Sequence, residues 1–140
     1  MIKIQSHDAS HTASFAMKGA VEALSTPPTV LVAMREEYRR RRDLLLRGLS
    51  RVEGVRCHVP EGAYYAFPNM TGFMQRFGIS SSTDLARVLL RSLGLATVPG
   101  SAFGTDGYLR ISYAVSEERL DEGLRRLQGC RELPRLGAAG

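Results

Sequence analysis

The 140-residue sequence lacks the features that mark membrane-spanning and secreted proteins. No apolar run approaches the roughly 18 residues that a bilayer-spanning helix requires, and the first residues contain no apolar stretch of the kind found in signal peptides. The two cysteines, Cys57 and Cys130, are too few for a disulfide framework. These absences predict a protein of the reducing cytoplasm that has no membrane partner.

Lysine is scarce as well, because Lys3 and Lys18 are the only two in the chain and arginine supplies nearly all of the positive charge. The formal net charge is +5, and the densest basic cluster covers residues 39–42. Such a cluster is one mark of a nucleic-acid-binding protein. Here acidic residues flank the cluster within a helical pattern, and no aromatic residues are interleaved with it to stack on bases. A solvated helix face is therefore favoured, and nucleic acid is not expected as a partner.

Apolar spacing, capping residues and proline positions predict alternating helices and short strands. Helices are expected over 13–24, 29–51, 82–93 and 116–128, and strands over 55–59, 63–67 and 108–114. The segment 70–81 is expected to be irregular or to carry a short helix. Ser82 is predicted to cap the helix that begins there, Gly94 to close it, and Ser116 to cap the last helix.

The interleaving of strands with helices favours an α+β fold, in which a short, mostly antiparallel sheet carries helices on one face. The long helix over 29–51 precedes this layer and is predicted to connect two lobes. An exposed apolar face is expected where this helix and the one before it would contact further protein.

One arginine lies in the middle of the otherwise apolar strand predicted over 108–114. Because side chains alternate between the two faces of a strand, Leu109 and Tyr113 are predicted to face the core, whereas Arg110 shares the other face with Ser112. A guanidinium group matches the geometry of a carboxylate and binds it through two parallel hydrogen bonds. Arg110 is therefore a candidate carboxylate clamp, and a surface arginine on a half-exposed strand is the alternative.

Histidine and cysteine do not form a strong candidate site. His7 and His11 are four residues apart and could hold a metal on one helix face, but no third ligand accompanies them. Cys57 and His58 are adjacent and would point to opposite faces of a strand. No catalytic or metal-binding residue is therefore assigned.

Five stretches of the sequence, taken in order, carry the motifs of one enzyme family. They are Gln5-Ser6-His7, Tyr38 with Arg41-Arg42-Asp43, the strand Pro60-Glu61-Gly62-Ala63-Tyr64-Tyr65-Ala66-Phe67, the loop Val98-Pro99-Gly100-Ser101-Ala102-Phe103-Gly104 and the strand Leu109-Arg110-Ile111-Ser112-Tyr113-Ala114. Through these stretches the chain resembles the C-terminal part of a class I/II pyridoxal-phosphate-dependent aminotransferase, from the aspartate aminotransferase superfamily of fold type I.

This resemblance implies roles for individual residues. Arg110 matches the arginine that binds the substrate's α-carboxylate, and Tyr64 matches an aromatic residue that lines the substrate pocket, with a core aromatic as the alternative. Ser6 and Ser10 fall in a segment that, in dimers of the family, approaches the site of the neighbouring subunit. The implied substrates are an α-amino acid and a 2-oxo acid. The implied cofactor is pyridoxal 5'-phosphate, and the implied partner is a second copy of the chain or a complementary cofactor-domain segment.

The resemblance also implies a division of the chain into four parts. They are the end of the large, cofactor-binding domain (1–28), the connecting helix (29–51), the small substrate-clamping domain (52–129) and a frayed tail (130–140).

The family's Schiff-base lysine belongs to a segment upstream of the matched region, and neither Lys3 nor Lys18 has the sequence setting of that lysine. We therefore expect no cofactor-binding residue in this chain and no transaminase activity from the chain alone. Two alternatives are a degenerate interaction or dimerisation module without chemistry and a basic nucleic-acid-binding domain.

Overall fold

The computed structural model describes residues 12–133. Its helices are α1 (Ser14–Ser25), α2 (Pro28–Leu49), α3 (Thr71–Phe77), α4 (Ser82–Leu93) and α5 (Glu117–Gln128). Its strands are β1 (Tyr65–Ala66), β2 (Val98–Pro99) and β3 (Leu109–Ser112), and a 3₁₀ turn covers Gly100–Phe103. Within this part of the chain, none of the helices is both long and apolar enough to cross a membrane.

The chain divides into two compact units, Met1–Arg35 and Glu36–Gly140. In the first unit, α1 ends at Ser25, and Pro28 takes the first position of α2, where its missing N–H interrupts no helical hydrogen bond. None of the side chains of α1 is buried. The large apolar residues of α1 and of the first turns of α2 are exposed: Phe15, Met17, Val21, Leu24, Val30, Leu31, Val32 and Met34.

The second unit is built on a three-stranded sheet in the order β1–β3–β2, and both strand pairs are antiparallel. Tyr65 of β1 lies opposite Ser112 of β3, and Val98 of β2 lies opposite Arg110. The predicted α+β fold with a small antiparallel sheet is therefore confirmed. The central strand, β3, carries the candidate arginine.

Helices α2, α3, α4 and α5 all contribute to the core of the second unit. Its buried apolar residues are Leu45, Leu49, Val52, Ala66, Met70, Phe73, Met74, Ile79, Leu85, Val88, Leu89, Leu109, Tyr113, Leu120, Leu124, Leu127, Cys130 and Leu133. Gly48 allows α2 to approach α5 closely, because a Cβ built at Gly48 would lie 2.4 Å from Cδ1 of Leu124. Gln128 strengthens this contact by donating a hydrogen bond from Nε2 to the Gly48 carbonyl at 2.9 Å.

The predicted strands differ from the structure in extent: the strand predicted over 108–114 forms β3 over Leu109–Ser112 only, and β2 is not among the predicted strands. The strand predicted over 55–59 is wrong: Arg56 pairs with Asn69 in an isolated bridge. In that bridge the two residues exchange both backbone hydrogen bonds, at 3.1 Å and 2.7 Å, and the pairing extends no further. The strand predicted over 63–67 shortens to β1 because Ala63 has a φ of +59°, which lies in the left-handed region and outside extended backbone.

The predicted cap of α4 is also displaced by one residue. Ser81, whose backbone is extended, accepts a hydrogen bond from the Asp84 N–H at 3.1 Å. Ser82 lies inside the helix instead and is fully buried. Gly94 closes α4 with a φ of +65°, and Ser116 caps α5, as predicted.

Candidate functional site

The candidate site lies on the face of the sheet opposite the core. Leu109 and Tyr113 are buried as predicted, so the alternation along β3 places Arg110 and Ser112 on the outer face. Because Tyr65 is the register partner of Ser112, its side chain lies on this outer face too. The strand pairing therefore brings an aromatic ring of β1 next to the arginine of β3.

The Arg110 guanidinium lies over two aromatic rings. Its Cζ is 4.4 Å from the centroid of the Tyr65 ring and 4.8 Å from that of the Phe103 ring. Each such cation–π contact contributes about 0.5–1 kcal/mol at an exposed site and about 2 kcal/mol when water is excluded. The guanidinium carbon thus lies over both ring faces, and the five N–H donors of the group lie in its own plane. No hydrogen bond from these donors to another residue of 12–133 occurs, so the planar fork that binds a carboxylate is open.

None of the described acidic residues, within 12–133, forms an ion pair with Arg110. Several arginines of the helices do form such pairs. On α5, for example, Arg125 pairs with Asp121 at 3.1 Å and Arg126 pairs with Glu122 at 2.9 Å. Arg110 is thus held by rings rather than by an internal anion.

Further rings extend the surface around Arg110, and we call Tyr65, Phe67, Phe103 and Tyr108 the aromatic patch. Phe67 stacks on Tyr108 with centroids 5.1 Å apart, and it meets Phe103 edge to face at 6.0 Å. Aromatic pairs of this kind contribute about 0.5–1.5 kcal/mol beyond the area that they bury. Phe67 is 37% exposed and Phe103 is 48% exposed, so the aromatic patch is open to a ligand.

Tyr64 joins the site through Tyr65. The two rings have centroids 4.4 Å apart, and Tyr64 is 45% exposed. A hydrogen bond with Tyr64 is the largest cause that raises the pKa of Tyr65, and the charge of Arg110 opposes it. Tyr65 therefore links Arg110 to Tyr64, and its place in the site follows from the strand pairing rather than from a sequence motif.

The backbone at Tyr64 is held from both sides. The hydroxyl of Tyr113 donates to the Ala63 carbonyl at 2.9 Å, and the N–H of Tyr113 donates to the Tyr64 carbonyl at 3.0 Å. Burial raises the pKa of Tyr113, which keeps this hydroxyl protonated as a donor. These two bonds stabilise the left-handed turn at Ala63, which leads into Tyr64.

A concavity of about 350 Å³ lies elsewhere in the second unit. Core residues of α4, β3 and α5, such as Leu89, Leu109 and Leu124, form most of its wall, and Arg110 is not among them. Among the described residues, this concavity is lined by one charged side chain, Arg119, and by no aromatic ring, whereas the outer face of the sheet places an arginine against several rings. We therefore place the candidate site at Arg110.

Comparison with known proteins places this geometry in a family. The sequence profile described as Aminotransferase class I and II matches residues 1–127. The chain belongs to the class I and II aminotransferase family. The resemblance found in the five sequence stretches is thereby confirmed.

Individual aminotransferases match at similar levels. The chain is 41% identical over 131 residues to a probable aspartate/prephenate aminotransferase of Aquifex aeolicus, which covers 92% of this chain and 33% of that protein. It is 41% identical over 139 residues to an aspartate aminotransferase of Rhizobium meliloti, covering 95% of this chain and 34% of that protein. The chain thus spans about a third of the length of these aminotransferases.

Solved aminotransferase structures share the fold. The aspartate aminotransferase from Rhizobium meliloti superposes with a TM-score of 0.84 at 38% identity, over 94% of this chain and 34% of that one. An aromatic aminotransferase from Pyrococcus horikoshii OT3 superposes with a TM-score of 0.80 at 34% identity, over 91% of this chain and 34% of that one.

The lysine that aminotransferase chemistry requires has no counterpart among the described residues. Lys18 is the one lysine between residues 12 and 133, and it is exposed in the middle of α1. Lys3 lies outside the described residues, and so do the predicted cross-subunit residues Ser6 and Ser10. The described part of this aminotransferase chain therefore does not fit a covalently anchored pyridoxal phosphate.

No group of three or more metal-ligating side chains occurs among the described residues, and His7 and His11 fall outside them. The basic cluster over 39–42 is paired along α2: Arg39 contacts Glu36, Arg40 and Arg41 contact Glu37, and Arg42 contacts Asp43. The acidic neighbours that the sequence pointed to thus neutralise much of the charge of the cluster.

Proposed function

We propose that this chain forms the substrate-carboxylate-binding portion of a pyridoxal-phosphate-dependent aminotransferase, which transfers an amino group between an α-amino acid and a 2-oxo acid. The observation that carries the proposal is the Arg110 guanidinium, supported on the rings of Tyr65 and Phe103 with its donors open. Residues 29–51 act as the connecting helix and 52–129 as the substrate-clamping domain. Residues 1–28 belong with the cofactor domain, and 130–140 form a tail whose first residues pack on the core through Cys130 and Leu133.

In this proposal Arg110 binds the α-carboxylate through two parallel hydrogen bonds. A hydrogen bond to a charged group contributes about 1.5–3 kcal/mol, which is more than a neutral pair contributes. The aromatic patch reduces the water around the guanidinium and so strengthens the attraction. Tyr64 lines the same pocket beside Tyr65, where its hydroxyl can meet the polar groups of the substrate.

Pyridoxal phosphate supplies the electron sink of transamination, and its chemistry depends on a lysine amine. Because the described residues do not fit the cofactor, we propose that a complementary cofactor-domain segment anchors it. The chain alone is then expected to show no transaminase activity. Its place is the cytoplasm, and the working assembly is a homodimer or a complex with that segment.

The exposed apolar residues of the first unit support such a partner. Phe15 is 80% exposed and Leu24 is 89% exposed, and both lie on a helix with no buried side chain. Exposed apolar patches of this kind mark protein contact surfaces. The same observation favours a second candidate function, an interaction or dimerisation module without chemistry, in which Arg110 binds no substrate.

Titration with a matched pair of ligands tests the carboxylate site. L-phenylalanine and L-phenylalaninamide differ only at the group that Arg110 would bind. We expect L-phenylalanine, but not the amide, to shift the Arg110 Nε–Hε resonance in ¹H–¹⁵N NMR spectra of the full chain. Arg110→Gln, followed through the backbone amide resonances of β3, should abolish the binding, whereas Arg91→Gln, at an exposed position on α4, should leave it intact. Equal binding by the Arg110→Gln variant would contradict the proposal.

Mixing tests the activity. The chain would be combined with the part of the Rhizobium meliloti aspartate aminotransferase that it does not match, in the presence of pyridoxal phosphate. We expect amino transfer between L-aspartate and 2-oxoglutarate from the mixture, none from the chain alone, and none from a mixture made with Arg110→Gln. Association without any ligand response at Arg110 would favour the interaction module.

A further inference from the structure

Ser82 is the one polar residue that is fully buried among the described residues, at 0% exposed. A buried hydroxyl destabilises a fold unless it is hydrogen-bonded, so its partners show what it holds together. The residues that follow it on α4, Leu85, Val88 and Leu89, are buried in the core. Ser82 is therefore anchored to the rigid part of the second unit.

All partners of Ser82 lie on the loop between β2 and β3. Its backbone N–H donates to Oδ1 of Asp106 at 2.7 Å, and its Oγ accepts from the Ser101 N–H at 3.2 Å. The Ser82 hydroxyl, the Ser82 N–H and the Gly107 N–H together lower the pKa of Asp106. Nearby, Thr83 Oγ1 and Ser101 Oγ are 3.0 Å apart, which adds an exposed link.

The loop that Ser82 holds places Phe103 next to Arg110. Ser101 and Phe103 belong to the same 3₁₀ turn, and the Phe103 ring is 4.8 Å from Cζ of Arg110. Gly104 and Gly107 of the loop have φ values of +75° and +78°, so its backbone depends on glycine freedom and on bonds to its surroundings. Ser82, which is fixed in the core through α4, and Asp106 supply hydrogen bonds that hold this loop.

We propose that Ser82 and Asp106 are positioning residues, which set the orientation of the Arg110 guanidinium by holding Phe103 against it. They do not touch the carboxylate themselves. An effect of Ser82 and Asp106 on ligand affinity rests on the proposed function, in which Arg110 binds a carboxylate. Their effect on the orientation of Arg110 does not depend on any ligand. The two parts can therefore be tested separately.

The Arg110 Nε–Hε resonance reports the orientation of the guanidinium directly, because the ring currents of nearby aromatic rings change the chemical shift of this proton. Phe103→Leu defines the shift produced by complete loss of the Phe103 ring. We expect Ser82→Ala and Asp106→Ala in the full chain to move the resonance towards the Phe103→Leu position. Asp106→Asn, which keeps an oxygen acceptor for the Ser82 N–H, should move it less. Asp106 is exposed, so its variants are expected to fold even where Ser82→Ala does not.

Leu127→Ala serves as the control for stability. Leu127 is buried in α5 and takes no part in the hydrogen bonds that hold this loop. Its truncation should therefore lower stability without moving the Arg110 resonance. If Leu127→Ala moves the resonance as far as Asp106→Ala does, the effect is a general loosening and the inference is wrong. An unchanged resonance in Asp106→Ala would also overturn it.

Affinity separates this inference from the proposed function. If Arg110 binds L-phenylalanine, the loss of one ring contact should weaken binding about 2- to 5-fold in Asp106→Ala, with a smaller change in Asp106→Asn. If the wild-type chain does not bind L-phenylalanine while Asp106→Ala still moves the resonance, the proposed function fails and the positioning link holds.

Discussion

A methyl group added at Gly48 tests how closely α2 and α5 pack. Alanine is favoured over glycine inside a helix by about 1 kcal/mol, so the substitution would stabilise an open helix surface. At Gly48 the new Cβ would lie 2.4 Å and 2.5 Å from the two methyl carbons of Leu124 and 2.8 Å from its Cγ. Leu124 is buried and cannot turn into solvent, and overpacking a core costs about 1–3 kcal/mol. We expect Gly48→Ala to lower the free energy of unfolding by about 1 kcal/mol net.

Gly123 provides a matched control inside α5. Its Cβ would lie 3.4 Å from Cδ2 of Leu95, which is close to ordinary van der Waals contact, so Gly123→Ala should be neutral or stabilising by up to about 1 kcal/mol. Urea unfolding followed by far-UV circular dichroism measures both variants. In a Leu124→Ala background the clash is absent, and the cost of Gly48→Ala should disappear. A Gly48→Ala protein as stable as Gly123→Ala would refute this account of the helix contact.

Three further predictions concern a turn, a loop and pH. Tyr113→Phe removes the hydroxyl that donates to the Ala63 carbonyl at 2.9 Å, and it should lower the free energy of unfolding in urea by about 1 kcal/mol. Gly100→Ala would place a Cβ 2.3 Å from the Thr105 carbonyl oxygen and should lower the thermal unfolding midpoint, at a cost of about 1–3 kcal/mol. The lowered pKa of Asp106 means that its stabilising contribution is present above the ordinary carboxyl pKa and is lost as the pH falls through the folded-state pKa. Thermal unfolding from about pH 7 to about pH 2 should therefore show a smaller acid-induced loss for Asp106→Asn than for the wild-type chain.

Helix α4 shows which parts of the fold the sequence could predict. Its apolar stripe and its closing Gly94 are local signals, and the predicted bounds agree with the structure. Strand β1 shows what the sequence could not predict, namely how many residues pair. Its length is set by Ala63 on one side and by Pro68 on the other, because Pro68 accepts a hydrogen bond from the Leu109 N–H of β3 but has no N–H to return one. A run of aromatic residues predicts a strand, but the number of paired residues depends on the partner strands.

The candidate site also has one part that the sequence predicts and one part that only the tertiary structure shows. Alternation along one strand is a local property, so the outward position of Arg110 is predictable from β3 alone. The contact with Tyr65 depends on the register between Tyr65 and Ser112, which belong to strands far apart in the sequence. The contact with Phe103 depends on the bonds that hold its loop to Ser82, and Ser82 itself is easily mistaken for the cap because a serine precedes it. The cation is therefore predictable from the sequence, whereas the rings around it require the tertiary structure.

The ring contacts of Arg110 argue for a ligand-binding role over a purely structural one. A structural arginine satisfies its donors with nearby anions, as Arg125 and Arg126 do with the carboxylates of α5. At Arg110 the stabilisation comes from two rings over which the guanidinium carbon lies, and no acidic residue within 12–133 pairs with the donors that match a carboxylate. Because no internal anion has to be displaced, a ligand can bind while the ring contacts remain. The guanidinium is thus oriented before the ligand arrives, and less conformational entropy is lost on binding.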